Sequence, residues 1–126
     1  MTSKALNVIS KAMESLGLNY AFMEWDDEPK YPYWIGEFQE IEPYDESGQH
    51  DSTFILTGYT RGLWNDLISE REAIYEYFNK VSGKTVIAED GSAIAVFYAN
   101  SFVARTGDAE LKKIQINLDV KEWSVK

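Results

Sequence analysis

Residues 110–125, "ELKKIQINLDVKEWSV", carry the clearest pattern in the chain: Ile114, Ile116, Leu118 and Val120 alternate with Lys113, Gln115, Asn117, Asp119 and Lys121. Successive side chains of a strand point to opposite faces, so this two-residue period predicts a strand with one buried face and one wet face. Such a strand belongs to a sheet covered on one side only, which is the habit of antiparallel sheets. Trp123 and Val125 fall in the other phase, and that slip predicts a bulge or an exit near Lys121-Glu122.

Outward from this strand, Thr106-Gly107-Asp108 reads as a turn, "SAIAVFYANSFVAR" as a second strand, Asp90-Gly91 as a tight turn and "KTVIAE" as a third strand, giving a meander. Between Leu63 and Val81, Leu67, Ile74, Phe78 and Val81 fall on one helical stripe with acidic residues mostly opposite, and Ser82-Gly83 stops the pattern. "WIGEFQEIE" (Trp34 to Glu42) and "STFILTGYT" (Ser52 to Thr60) have strand character and flank "PYDESGQHD", a connection longer than the usual hairpin turn. The two are expected to pair antiparallel across a mobile polar loop. "LNYAFMEW" (Leu18 to Trp25) is a further short strand, broken by "DDEPKYPY". At the N-terminus Ala5, Leu6, Ile9, Ala12, Met13 and Leu16 recur at helical spacing, with Thr2 or Ser3 able to cap the start and Gly17 suited to the end. The expectation is an α+β fold, a single domain over residues 1–126, with a mostly meander antiparallel sheet and two helices packed on one face.

Composition narrows the function classes. A chain of 126 residues, 44% apolar and 14% aromatic, can bury a core without staples. The absence of cysteine excludes disulfides, zinc thiolate sites and cysteine nucleophiles. No apolar run is long enough to span a bilayer, so no membrane role is expected. A formal charge of -9, from 21 acidic against 12 basic residues, argues against binding nucleic acid by neutralising phosphates.

Three sets of side chains invite a chemical reading. Ser47, His50 and Asp51 have the residue types of a catalytic triad, yet triad members come from different elements whose packing fixes their geometry, and these crowd into one loop. The carboxylates Asp26, Asp27, Glu28, Glu37, Glu40, Glu42, Asp45 and Glu46 lack calcium-loop spacing, and charge runs of this kind mark a solvated or interaction face. "SGK" at Ser82 to Lys84 lacks the glycine-rich frame of a phosphate loop. No catalytic residue, metal or cofactor is expected. Trp34 and Trp64 stand at element boundaries, where a large rigid ring serves a core or an interface. With Trp34 at an interface, Trp34→Ala is expected to spare folding and harm assembly. Phe78→Ala is expected to cost roughly 3–5 kcal/mol as a core truncation.

Taken in order, "YPYWIG", "ESG" before "STFILTGYTRG", the helix "WNDLISEREAIYEYF" and the strand ending "NLDVKEW" give the chain its family likeness: it resembles the tail completion or tail terminator (head-tail joining) proteins of long-tailed bacteriophages and prophages. The resemblance covers nearly the whole chain and rests on element order and a loose strand signature. It implies a structural virion protein of the tail or neck, made in the host cytoplasm. Its subunits would form a ring, commonly a hexamer, that caps the tail tube and docks to the head connector, with DNA passing through the lumen. Partners on this reading are further copies of the chain, the tail tube protein and the head connector protein. The expected contact residues are Tyr33, Trp34, Asp45, Glu46, His50, Asp51, Arg61 and Trp64. Two other classes fit the composition: an acidic inhibitor or immunity-type protein that mimics DNA before a basic partner, and a small α+β hydrolase or ligand-binding protein.

Overall fold

The computed structural model describes residues 1–25, 28, 30–41, 49–79, 83–87 and 90–123. In chain order these form α1 (Ser3–Ser15), β1 (Tyr20–Phe22), β2 (Tyr33–Ile41), β3 (Gln49–Thr60), α2 (Trp64–Tyr77), β4 (Lys84–Ile87), β5 (Ala93–Ala104) and β6 (Lys112–Trp123). One six-stranded sheet holds all the strands in the order β1-β2-β3-β6-β5-β4. The antiparallel pair β2–β3 and the meander β4–β5–β6 match the pattern of the sequence.

The sheet is mixed, however, and not a simple meander. β1 runs parallel to β2, because the chain returns to the starting end of the sheet before β2 begins. β1 is also shorter than its apolar run suggests. Met23 takes a left-handed backbone at φ 71 and gives its N–H to the Gly36 carbonyl, which turns the chain out of the strand. At the centre β3 pairs with β6 over its full length, from Gln49 against Trp123 to Thr60 against Lys112. α2 carries the chain across the covered face and so lets β4 begin at the far border.

The registers sort every strand residue onto one of two faces. Trp34, Phe54, Leu56, Val96, Tyr98, Ile114, Ile116, Leu118 and Val120 share the covered face and are buried there with Ala5, Ile9, Ala12 and Met13 of α1 and Leu67 and Ile74 of α2. Both helices therefore pack on one side, and the wet half of the β6 alternation lies on the bare side. Two glycines make room for the largest rings. A Cβ on Gly58 would stand 2.6 Å from the Trp34 ring, and one on Gly36 would stand 2.4 Å from the Phe54 ring. Each ring occupies the space a Cβ would take on the glycine of the neighbouring strand.

α1 has the predicted stripe and cap: Thr2 Oγ1 accepts from the Ala5 N–H at 3.2 Å, and Gly17 has φ 71. α2 is shorter than the sequence pattern. It ends at Tyr77, with buried Phe78 as its C-cap, while Val81 and Ser82 lie outside the described residues. No bulge falls at Lys121-Glu122, and the residues beyond Trp123, where β6 ends, lie outside the described ones. β6 runs unbroken through Lys121 and Glu122, with Glu122 in the buried phase, because Thr2 supplies the donors that a carboxylate needs there. The bulge sits instead in β5, between Tyr98 and Asn100. Beyond it Ser101 and Val103 take the covered face, and Phe102 turns to the bare one. His50 and Asp51 are also corrected: they belong to β3 and pair with Glu122 and Lys121.

Candidate functional site

The sheet divides the expected contact residues between its two ends. Tyr33 pairs with Tyr59, and Arg61 follows directly on β3, so these gather with Trp64 at one end. His50 and Asp51 stand at the other, about 26 Å away counting eight residues from Asp51 to Tyr59 at ~3.3 Å each. Asp45 and Glu46 lie outside the described residues. Trp34 joins neither group. Its ring is fully buried on the covered face, and its indole Nε1 donates to Glu70 Oε1 of α2 at 2.9 Å. A ring with no exposed surface is a core element, so its placement at an interface is corrected.

The first end is aromatic and cationic, and it lies on the bare face. Tyr33 and Tyr59 stack across β2 and β3 with centroids 5.2 Å apart, and Trp25 and Tyr31 each sit 5.4 Å from Tyr33. The Lys113 ammonium lies 5.8 Å from the Tyr59 centroid. Arg61 donates to Asp108 Oδ2 at 3.1 Å. Hydrogen bonds to the Tyr31 hydroxyl and to Asp108 raise the Arg61 pKa still further, and burial, with the neighbouring Tyr31 and Tyr59, raises that of Tyr33. Trp64 opens α2 on the opposite face, beside exposed Leu63. Rigid rings with cationic neighbours suit protein contact, since they bury much area at little entropic cost. Trp25, Tyr31, Tyr59 and Lys113 escaped the sequence reading. Only the antiparallel register shows that Tyr33, Tyr59 and Lys113 form one row.

The second end is polar and knits the N-terminus to the sheet. Glu122, nearly buried, accepts from the Thr2 backbone N–H at 3.2 Å and from Thr2 Oγ1 at 2.5 Å. The Met1 ammonium pairs with Glu40. Lys4 reaches Asp90 at 3.2 Å, and Asp90 also accepts from the Ser92 hydroxyl at 2.6 Å and the Ser92 N–H at 2.9 Å. The Ser92 bonds, then Lys4, hold the Asp90 carboxyl down to about 2. Thr2, Lys4, His50, Asp90, Glu122 and Trp123 border a recess of about 330 Å³. These carboxylates are taken up in capping α1 and fastening the β4–β5 turn, which is a clasp for the fold. Among the described residues no cluster of His, Asp and Glu is arranged to hold a metal ion, and no helix is long and apolar enough to cross a membrane.

Comparison with known proteins gives one kind of likeness. No family model and no curated protein matches the chain. A chain in the solved virion of a native gene transfer agent particle superposes with a TM-score of 0.63 over 96% of this chain and 90% of that one, at 11% sequence identity. At that identity the likeness is one of fold, and it extends over the whole α+β domain.

Proposed function

We propose that the chain is a non-enzymatic structural protein of a phage or prophage virion, acting at the head-tail junction. In this reading it forms a hexameric ring that terminates or completes the tail tube and docks to the head connector, with the genome passing through the lumen. The carrying observation is the fold shared with a virion component of a gene transfer agent, a phage-like particle, over nearly the full length of both chains. The element order noted in the sequence, which resembles that of tail completion and tail terminator proteins, supports the reading independently of that likeness.

Two properties of the surface support the reading. The aromatic, cationic end and the polar end are different in chemistry and lie at opposite ends of the strands, as head-to-tail contacts within a ring or along a tube axis require. α2 contributes to the acidity of the surface, carrying Asp66, Glu72 and Glu76, besides half-buried Glu70, against Arg71. A ring multiplies such charge and keeps a duplex from sticking to it.

Light scattering on the pure chain, alone and with the tail tube protein, tests the proposal. The expected result is a discrete assembly at a multiple of 14.4 kDa, formed alone or on tube addition. A strict monomer indifferent to tubes, yet binding a nuclease tightly, would replace this reading with that of an acidic inhibitor.

A further inference from the structure

Among the described residues two stretches of sheet border lack a neighbouring strand, and they are complementary. β1 covers β2 only from Trp34 to Gly36, and among the described residues no strand pairs with Glu37–Ile41 on that side. The Trp34 N–H and the Gly36 carbonyl point to that border, bonding the Asn19 carbonyl and the Met23 N–H. Backbone groups alternate in direction along a strand, so those of Phe38 and Glu40 point outward next. On the opposite border β4 covers β5 only from Ala93 to Val96, and the Tyr98 N–H is taken by the Phe78 carbonyl. Past the bulge, Asn100–Ala104 has no outer partner among the described strands.

We infer that these two borders pair with each other between copies of this chain, so that β2 of one subunit adds antiparallel to β5 of the next and the sheet continues around the ring. The inference rests on the ring reading above and names its interface. An open border presents unpaired N–H and C=O groups, and natural proteins blunt it unless it is used. Here it carries apolar side chains: Phe38 is 37% exposed, Phe102 49% and Val103 62%. β2 runs toward the polar end and β5 toward the aromatic end, so a neighbour in the same orientation meets β5 antiparallel.

The register that pairs all of 37–41 with 100–104 sets Phe38 against Val103 on the covered face and Gln39 against Phe102 on the bare face. Charge agrees as well, with Glu24 and Glu37 exposed beside the β2 border and Arg105 exposed at the end of β5. The two free segments lie at opposite ends of the strands. A docked β2 therefore fills the column above β4, and its own β1 fills the column beyond Ala104, like a lap joint. Within one subunit Gln39 is level with Phe97, four β6 residues from the level of Phe102. Each subunit then advances ~13 Å along the strands for ~19 Å around the ring, at ~3.3 Å per residue and ~4.8 Å per strand. That slope is a strand tilt of about 34°, close to the 35–45° at which closed sheets form.

The chain has no cysteine, which makes cross-linking clean. Gln39→Cys and Phe102→Cys place thiols on two strands separated by β3 and β6, beyond the ~7 Å reach of a disulfide within one molecule. Across the proposed joint the two positions face each other as a non-hydrogen-bonded pair, about 4.5 Å apart at Cα. Mixing the two single variants under mild oxidation should give a covalent dimer that neither variant gives alone, and the double variant should give a ladder. Glu37→Cys with Ala104→Cys serves as a second pair, and Val103→Asp should weaken association at least about tenfold with the unfolding midpoint unchanged at concentrations dilute enough that the parent chain is also a monomer. If the chain assembles by light scattering while both thiol pairs stay unlinked, the edge joint is wrong and the ring stands. If it never assembles, alone or with tail tube protein, both fall.

Discussion

At the scale of the residue, Trp34 shows how one position changes meaning between sequence and structure. A tryptophan at an element boundary, two residues after Pro32, reads as core or as interface; Gly58 on the adjacent strand makes room for its ring, and Glu70 of α2 accepts its indole N–H, which makes it core. Trp34→Ala should therefore destabilise the monomer by about 3–5 kcal/mol, the range for a buried aromatic truncated to alanine, measured by urea unfolding. Its partner Glu70 has a distinct pH signature. Burial, and to a lesser degree Asp66, raise the Glu70 carboxyl above the ordinary 4.5, against the lowering effect of the Trp34 bond. The folded state thus holds this proton more tightly than the unfolded chain does. Stability from this group is complete below 4.5 and declines as the pH rises through the raised folded value. Glu70→Gln keeps an amide oxygen for the indole and has nothing to ionise, so its unfolding midpoint should lack that decline across the same pH series. An identical decline in the variant would remove Glu70 as its source.

At the scale of the element, the two helices are held by different means. α1 has a continuous apolar stripe and a side-chain cap, and both were legible because they depend on neighbours within one turn. Thr2→Ala removes the cap and a donor to buried Glu122, and thermal melts should show a loss of roughly 0.5–2 kcal/mol, the range for such caps. α2 has no side-chain cap at Leu63 and buries only Leu67 and Ile74 within its length, with Phe78 at its end. Its place depends on tertiary contacts, above all on Phe78, whose carbonyl also accepts from Tyr98 on β5. Phe78→Ala should cost about 3–5 kcal/mol by denaturant titration, and a cost under 1 kcal/mol would mean that α2 is anchored elsewhere. The β5 bulge was not legible. Strict alternation from Ile94 would send Phe102 inward, and only the pairing with β6 shows that Ala99 absorbs the phase.

At the scale of the whole molecule, assembly and stability are linked, because a partner that binds only the folded state stabilises it by mass action. If copies join at the sheet borders, the melting temperature of the pure chain should climb with protein concentration, which differential scanning calorimetry over a hundredfold range would detect. A temperature independent of concentration would mean that the folded monomer is the unit that unfolds. The division of the contact residues belongs to this scale too: one run of sequence holds His50 and Arg61, yet a straight strand sets them at opposite ends of the molecule. By itself the sequence determined the α+β class, the α1 stripe and cap, the β2–β3 pair and the wet and dry faces of β6, all of which follow from periodicity and local backbone preference. The tertiary structure alone decided that β1 runs parallel, that β3 and β6 form the centre, that Trp34 is core and that two diagonal borders have no partner strand among the described residues. Those outcomes depend on which strands meet and in what register, and contacts between residues far apart in the chain leave no period in the sequence between them.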